Sequence, residues 1–178
     1  MISSYFTIPK VLTSIECQEI INYCTGKCKP SDVTAPVHNK STIIKDVRNS
    51  LNTFISPDEL PMIKKILDCV IKVSSEYFKF SLTNIEPIQY AEYTEGMYYN
   101  SHIDSGETLD LDRDISVSVF LTPKNQYEGG NLCFLYPTGW VEVNEQQGSI
   151  VLFSSMLTHK VKRVKKGKRS SLVLWCKR

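Results

Sequence analysis

The amino-acid sequence predicts an α+β protein that is mainly β, in which N-terminal helices support a double-stranded β-helix, or jelly roll. Two observations lead to this prediction. Helical periodicity is confined to residues before 85, whereas eight short runs with strand composition follow that point. Turn sequences with glycine and proline separate the runs, which is typical of jelly rolls built from two antiparallel sheets.

Length and composition are those of one globular domain. The 178 residues are 42% hydrophobic and 22% charged, which is typical of soluble proteins. We predict a single domain over 1–178, with a helical support region (1–84) and a jelly-roll core (85–178). No stretch approaches the roughly 18 consecutive apolar residues of a membrane span, and the N-terminus lacks a signal-peptide pattern. We therefore expect a cytoplasmic protein with no membrane partner.

The six cysteines are expected to be reduced thiols, because no secretory signal is present. Cys24 and Cys28 have three residues between them, a spacing that could suit zinc. No second pair of cysteines or histidines follows at a finger-like distance, so we favour a structural role for both.

The support region should begin with a strand, Tyr5 to Val11, and continue into a helix. Thr13 and Ser14 can cap this helix, which is predicted to run through Cys24. Its apolar positions predict one face docked on a sheet, and they are Ile15, Ile20, Ile21 and Tyr23.

Residues 25–41 contain one glycine, two prolines and several polar residues, which predicts a loop. His38 lies in this loop between polar neighbours, so a solvated side chain is favoured over a metal ligand. The other two histidines, His102 and His159, are the better candidates for chemistry.

A second helix is predicted to start at Ser56-Pro57-Asp58-Glu59, because a serine cap, a proline in the first turn and two acids suit a helix N-terminus. It should run to about Phe78. The positions expected on its buried side are Ile63, Ile66, Leu67, Val70 and Ile71. Its lysines Lys64, Lys65 and Lys72 are expected to face water.

The jelly-roll core is predicted from eight strands. They cover residues 86–93, 97–102, 115–121, 131–135, 140–143, 149–153, 159–164 and 170–176. Closed into two sheets, strands of this number enclose an interior wide enough for a site.

The sequence His102-Ile103-Asp104 is the first chemical signal. In a strand, residues two apart share a face, so an imidazole and a carboxylate would aim at one point. His159 follows another strand-like run and is the candidate third ligand. Two histidines and one carboxylate with open positions opposite are typical of non-haem Fe(II) oxygenases. Taken alone, His-x-Asp is a weak motif, and a surface histidine beside a solvated aspartate would explain it equally well.

Arg169 strengthens the signal because it lies ten residues after His159 and begins an apolar run. A β-hairpin of that length would return Arg169 to the neighbourhood of His159. A guanidinium there would offer a planar, two-pronged donor to a carboxylate.

In this order and spacing, the residues resemble the 2-oxoglutarate/Fe(II)-dependent dioxygenases, and among them the prolyl 4-hydroxylase-like group. The resemblance covers about Ile88 to Trp175, roughly half of the chain. Its elements are Tyr93, Gly96, Tyr99, His102-Ile103-Asp104, Tyr127-Glu128-Gly129-Gly130, Gly148-Ser149-Ile150-Val151-Leu152-Phe153, His159 and Arg169.

The resemblance implies that His102, Asp104 and His159 are catalytic residues that bind Fe(II), with 2-oxoglutarate and O2 as cosubstrates and succinate and CO2 as products. Ascorbate could serve as reductant. It further implies that Arg169 pairs with the far carboxylate of 2-oxoglutarate, together with Tyr93. Three residues have an alternative explanation in packing, namely Tyr93, Tyr99 as a pocket-lining residue and Trp175 beneath the metal or cosubstrate.

Arg48 lies in Asp46-Val47-Arg48-Asn49-Ser50, which resembles a strand of prolyl hydroxylases that precedes their first long helix. The resemblance makes Arg48 a candidate for substrate binding at the mouth of the site. A surface arginine is the alternative. Residues 106–114 are rich in acids and could form a lid or, as we slightly favour, a solvated loop.

The favoured function is hydroxylation of an unactivated C–H bond, with a peptidyl proline as the first choice of substrate. A carboxylate at position 104 favours hydroxylation over halogenation, because halogenating relatives have a small residue there. The alternatives are hydroxylation of a free amino acid or other small molecule, and a catalytically silent jelly roll that only binds. Nucleic acid is not favoured, because Trp175 stands where nucleic-acid demethylases carry a second arginine, although residues 160–168 are basic.

Overall fold

The computed structural model describes residues 5–35, 40–42, 46–79, 81–105 and 112–178. It contains 42% strand and 19% helix, which confirms a mainly β fold. The helices are α1 (Ser14–Cys24) and α2 (Pro61–Glu76). The strands are β1 (Tyr5–Ile8), β2 (Lys29–Pro30), β3 (Val33–Ala35), β4 (Lys40–Thr42), β5 (Arg48–Asn49), β6 (Leu51–Ile55), β7 (Asn84–Ile85), β8 (Ile88–Tyr93), β9 (Tyr98–His102), β10 (Ile115–Phe120), β11 (Tyr127–Gly129), β12 (Leu132–Tyr136), β13 (Gly139–Glu142), β14 (Ile150–Ser154), β15 (His159–Val161), β16 (Val164–Gly167) and β17 (Arg169–Lys177).

Two antiparallel sheets form the jelly roll that the sequence predicts. The major sheet has eight strands in the order β1-β14-β10-β17-β8-β6-β2, with β7 paired to β17 as the eighth. The minor sheet has five strands in the order β13-β12-β15-β9-β5. The small pairs β11-β16 and β3-β4 complete the described pairings. Phe120, Val151 and Phe153 of the major sheet pack against Leu132 and Phe134 of the minor sheet, so the two sheets face each other.

Alternation along β10 explains how one strand serves both a core and a cavity. Ile115, Val117 and Val119 belong to the main core, which the helices cover. Ser116 and Ser118 lie between them and point to the opposite face, toward the minor sheet. Because these side chains are small and polar, they leave room between the sheets for a site.

Helix α1 confirms its predicted bounds. Thr13 caps it, and Glu16 returns a hydrogen bond to the Thr13 backbone in a capping box. The buried face consists of Cys17, Ile20 and Cys24, spaced three and four residues apart. The prediction that Ile15 lies on this face was wrong, since Ile15 is 73% exposed and lies two positions from Cys17, on the opposite side of the helix.

Helix α2 begins at Pro61, about one turn later than predicted. The sequence Ser56-Pro57-Asp58-Glu59 forms a turn, in which Glu59 accepts a hydrogen bond from the Ser56 backbone at 2.5 Å. Leu60 precedes a proline and is therefore driven to an extended conformation, which blocks a helix across it. Ile71 was also predicted to be buried and is 49% exposed.

All eight predicted core strands are present, but the strand predicted over 159–164 ends at Val161. The chain then leaves the minor sheet, and β16 pairs with β11 instead of β15. The predicted hairpin from His159 to Arg169 was therefore wrong. The two residues approach because β15 and β17 lie in facing sheets.

The N-terminal part contributes more strands than the sequence predicts. Residues 25–41 were predicted as a loop, yet they include β2, β3 and the start of β4. Strand β6 was not predicted and pairs with β8 in the major sheet. His38 lies outside the described residues, as does most of the predicted acidic loop. The division into a support region and a core at residue 84 stays a prediction. None of the described helices is long and apolar enough to cross a membrane.

Candidate active site

Three potential metal ligands meet between the sheets. His102 ends β9 and His159 begins β15, and the two are cross-strand neighbours in the minor sheet. Asp104 lies two residues beyond the end of β9. Its Oδ1 is 3.5 Å from Nε2 of His102, and its Oδ2 is 3.4 Å from Nε2 of His159. Within the described part of the chain, no other group of three or more His, Cys, Asp or Glu side chains is close enough to hold a metal ion.

Backbone carbonyls fix the orientation of both imidazoles. Nδ1 of His102 is 2.7 Å from the Asn100 carbonyl, and Nδ1 of His159 is 2.9 Å from the Leu157 carbonyl. A carbonyl only accepts, so each Nδ1 carries the proton and, in the neutral ring, each Nε2 presents a lone pair. Tyr99 also stacks on His102 with the ring centroids 3.6 Å apart.

The protonation states suit metal binding. Burial lowers the pKa of His159 to about 4, so this ring is neutral at pH 7. Burial opposes ionisation of Asp104, but His159, His102 and the Ser116 hydroxyl together hold its pKa below the usual range. Two ring nitrogens and a carboxylate then face one another with lone pairs only. This arrangement is stabilised when a cation lies between them, so the residues present fit Fe(II).

Arg169 is a buried cation with unused donors. It is 2% exposed and donates from Nη1 to Ser171 Oγ at 3.1 Å, while its Nε has no hydrogen-bond partner. Its guanidinium carbon lies 5.4 Å from the Tyr93 ring centroid and 5.7 Å from that of Phe120. A buried guanidinium with an unpaired donor is costly unless an anion binds it. The pocket around Arg169 therefore fits a carboxylate of 2-oxoglutarate.

One cavity joins these features. Its walls include all the predicted site residues, and they are Arg48, Tyr93, Tyr99, His102, Asp104, His159, Arg169 and Trp175. The indole Nε1 of Trp175 is buried without a hydrogen-bond partner, like Nε of Arg169. The Cys24 and Cys28 pair has no further ligand beside it among the described residues.

Arg48 lies inside the cavity wall and is 6% exposed, unlike the surface arginine that was the alternative. It donates to Ser50 Oγ at 2.8 Å and to Gln89 Oε1 at 2.7 Å. Its guanidinium carbon lies 4.8 Å from the centre of the Tyr99 ring. These contacts hold the positive charge of Arg48 close to His102, on which Tyr99 stacks.

Four residues near the site were not identified from the sequence. Arg113 stacks on Trp175 with its guanidinium carbon 4.0 Å from the ring, and it forms a two-pronged ion pair with Glu86 at 2.5 and 2.6 Å. Ser116 contacts the Asp104 side chain directly, and Ser155 contacts Ser116. The alternating pattern of β10 could have indicated Ser116, because it puts a small polar residue on the inner face.

The basic residues 160–168 are largely engaged by the protein itself. Lys162 pairs with Glu142, and Lys168 approaches Glu92 at 3.2 Å. Lys160 lies 3.8 Å above the Trp140 ring, and Arg163 lies 4.2 Å from the Tyr98 ring. These contacts link the run to neighbouring strands, which gives it a role in the fold.

The chain was compared with known proteins. Residues 88–177 match the family described as the 2OG-Fe(II) oxygenase superfamily. A PKHD-type hydroxylase of Crocosphaera subtropica is 30% identical over 177 residues, covering 95% of this chain and 76% of the relative. A PKHD-type hydroxylase of Alteromonas mediterranea is 38% identical over 97 residues, covering 51% of this chain and 43% of the relative.

Solved structures agree on the fold. A prolyl-4-hydroxylase of Pseudomonas putida superimposes with a TM-score of 0.79 at 21% identity, covering 98% of this chain and 93% of the other. The viral collagen prolyl hydroxylase of Paramecium Bursaria Chlorella virus-1 gives a TM-score of 0.73 at 25% identity, covering 98% and 96%.

Fold and site together indicate a non-haem metal oxygenase built on a jelly roll. The chain belongs to the 2OG-Fe(II) oxygenase superfamily. It is an oxidoreductase of the hydroxylase type that uses Fe(II), 2-oxoglutarate and O2. Family membership argues against the alternative of a catalytically silent jelly roll.

Proposed function

We propose that this enzyme hydroxylates a peptidyl proline, with decarboxylation of 2-oxoglutarate to succinate. The observation that carries the proposal is that one cavity holds both the cluster of His102, Asp104 and His159 and the buried cation Arg169, whose Nε has no hydrogen-bond partner. The first suits a metal ion and the second suits a dicarboxylate cosubstrate. A solved structure at 25% identity is named as a viral collagen prolyl hydroxylase, which supports the choice of residue.

In this proposal His102, Asp104 and His159 hold Fe(II). With 2-oxoglutarate and O2, the bound iron supplies the oxidising power that a C–H bond requires. The protein's own contribution is to orient the side chains that hold the metal. The Asn100 and Leu157 carbonyls keep both Nε2 atoms aimed at Asp104, and burial keeps His159 neutral.

Arg169 binds the far carboxylate of the cosubstrate in this proposal, as a charged donor in a dry pocket. Tyr93 is its cross-strand neighbour and brings a phenol hydroxyl to the same anion. The aromatic rings of Tyr93 and Phe120 exclude water around the guanidinium, which strengthens the ion pair with the cosubstrate.

The substrate end combines flat rings and donors. Trp175 provides an apolar surface for a proline ring, and Arg113 stacks on it. Arg48 donates to Ser50 and Gln89 through Nε and Nη2, so its Nη1 is the donor that suits a carbonyl group of a peptide crossing the opening. Arg48 is also placed to bind the carboxylate of a free amino acid, so small-molecule hydroxylation is the second candidate.

A cytoplasmic location belongs to the proposal, since the six cysteines are all free thiols.

The test is succinate formation by protein loaded anaerobically with Fe(II), then supplied with O2, 2-oxoglutarate and ascorbate. It is run without substrate, with a proline-rich peptide, and with free proline. Wild-type protein should form succinate, and the peptide should raise the rate and become hydroxylated. His102→Ala should lose both turnover and the rise in melting temperature that metal and 2-oxoglutarate produce together.

Ser101→Ala is the matched control, because Ser101 is the exposed neighbour of His102 on β9. It should retain turnover and ligand-dependent stabilisation. Stimulation by free proline and not by the peptide would favour the small-molecule candidate. Failure of the wild-type protein to bind iron would overturn the metal site.

A further inference from the structure

A chain of hydrogen bonds leads from two buried serines to the carboxylate of Asp104. Ser116 Oγ lies 2.6 Å from Asp104 Oδ2, and Ser155 Oγ lies 2.9 Å from Ser116 Oγ. Both serines are fully buried, and Asp104 is 7% exposed. An ionised carboxylate only accepts, so Ser116 donates its single proton to Asp104. Ser155 must then be the donor to Ser116, and all the hydroxyl dipoles point toward the carboxylate.

Ser155, in the turn after β14, also holds the backbone of Asp104. The Asp104 N–H donates to the Ser155 carbonyl at 2.8 Å, and the Ser155 N–H donates to the Asp114 carbonyl at 3.0 Å. This support is needed because β9 ends at His102. No ladder of strand pairing continues to Asp104, so contacts from β10 and from the turn after β14 determine where its side chain points.

We infer that Ser116 is a positioning residue that orients the carboxylate of Asp104 for metal binding. The inference rests on the proposed metal site. Each carboxylate oxygen faces one histidine, with Oδ1 at 3.5 Å from Nε2 of His102 and Oδ2 at 3.4 Å from Nε2 of His159. The hydrogen bond from Ser116 to Oδ2 fixes the rotation of the carboxylate and so keeps both oxygens in this relation to the two rings.

The position of Ser116 in the middle of a paired strand suits it to orienting Asp104. Ser116 is paired with Trp175 on one side and with Phe153 on the other, so its backbone is fixed within the major sheet. Its hydroxyl can therefore restrain a carboxylate that lies beyond the end of β9. Hydrogen-bond partners behind metal ligands typically contribute about 10- to 100-fold to metal affinity or activity.

The test uses Co(II) as an oxygen-stable probe for the iron site and compares Ser116→Ala with Ser116→Thr. Visible absorption titrations give the dissociation constant of Co(II), and then that of 2-oxoglutarate for the Co(II) protein. In Ser116→Ala, both constants should rise about tenfold or more. Ser116→Thr keeps the hydroxyl and should restore both values to within about threefold of wild type.

Ser74→Ala is the matched control. Ser74 is also a fully buried serine, but it lies on α2 and outside the walls of the cavity. Its Co(II) affinity should match wild type. Unchanged constants in Ser116→Ala, or an equal loss of Co(II) affinity in Ser74→Ala, would overturn the positioning role while leaving the metal site intact. Absence of Co(II) binding to wild-type protein would instead overturn the proposed site, and the inference with it.

Thermal unfolding of the metal-free proteins separates positioning from stability. Ser116→Ala removes a buried hydroxyl, so some loss of melting temperature is expected in any case. The inference requires that the affinity loss persist at temperatures where the variant is fully folded. Affinity that returns to the wild-type value under those conditions would contradict it.

Discussion

Arg169 and Trp175 project from the same face of β17, six residues apart, and both line the cavity between the sheets. A strand rises about 3.3 Å per residue, so their backbones are separated by about 20 Å. The Arg169 end is closed and 2% exposed, whereas Trp175 is half-buried under Arg113. The sequence interpretation grouped both residues with the cosubstrate. Their separation instead favours Arg169 for the cosubstrate and Trp175 for the substrate.

Replacing Trp175 should affect the substrate and spare the cosubstrate. In Trp175→Ala, we expect KM for a proline-rich peptide to rise about tenfold or more, because a large apolar contact and its stacked Arg113 are lost. KM for 2-oxoglutarate should stay within about twofold of wild type. Steady-state kinetics with separate detection of succinate and hydroxylated peptide checks both values.

Trp140→Ala is the control for Trp175→Ala, since Trp140 lies on β13 at the edge of the minor sheet and is 36% exposed. It should leave both KM values unchanged. A Trp175→Ala protein whose KM for 2-oxoglutarate rises while peptide KM does not would return Trp175 to the cosubstrate end.

Arg169 should show the opposite pattern. Arg169→Ala removes the buried cation, and we expect KM for 2-oxoglutarate to rise roughly 100-fold, the scale of a lost buried charge pair. Arg169→Lys keeps the charge without the planar pair of donors, so a rise of about tenfold is expected. Arg163→Ala, from the exposed basic run, is the control. Equal KM values in Arg169→Ala and wild type would show that the cosubstrate carboxylate binds elsewhere.

Gly130 offers an independent way to disturb Arg169. A Cβ at residue 130 would lie 3.1 Å from Arg169 Cδ and 3.0 Å from Val164 Cγ2, at a φ of +61°. Gly130→Ala should therefore shift the arginine side chain and raise KM for 2-oxoglutarate by about fivefold or more, because small misplacements of binding groups are costly. Succinate formation at varied 2-oxoglutarate measures this effect.

Gly26→Ala isolates the cost of the backbone conformation. Gly26 has a φ of +79°, and a Cβ there would meet no atom within 4 Å. Both variants should lose about 1 kcal/mol of stability from the left-handed conformation. Only Gly130→Ala should change KM for the cosubstrate, and an equal KM change in Gly26→Ala would mean that general destabilisation is the cause.

Local signals account for the parts of the fold that the sequence predicts well. Helix α1 has its capping box within four residues, and the core strands have clear runs bounded by turns. Competing local signals account for the error in the start of α2. Ser56-Pro57-Asp58-Glu59 suits a helix start, but Pro61 holds Leu60 extended, so the helix begins at Pro61. Two-residue strands such as β2 are too short to show an alternating hydrophobic pattern, and they form only through pairing with a distant strand.

The site divides in the same way. The ordered motif around His102, Asp104, His159 and Arg169 could be recognised from sequence by its spacing. The alternation of β10 could place Ser116 on the inner face, but not beside Asp104. The contact of Ser116 with Ser155, 39 residues away, depends on the packing of β10 against the turn after β14. Arg113 and Glu86 likewise meet across 27 residues.

Stability of the metal-free protein should depend on pH through His159. Burial lowers its pKa from 6.5 to about 4 in the folded protein, whereas the unfolded chain keeps the ordinary value. Between these values the unfolded chain binds a proton that the folded protein does not. The contribution of the neutral ring is therefore complete above pH 6.5 and is lost as the pH falls toward 4.

Urea unfolding of the wild type and of His159→Asn at pH 7 and pH 4.5 measures this contribution. Wild type should lose roughly 2 kcal/mol more than the variant between the two pH values, because asparagine does not titrate. In the wild type, the pKa of Asp104 is held below the usual range, so its contribution is lost only at more acid pH. In the variant, the loss of His159 raises the pKa of Asp104, which lessens the variant's loss at pH 4.5 and so acts in the same direction. Equal losses in the two proteins would show that the pKa of His159 is not lowered in the folded state, so burial would not be what keeps the ring neutral.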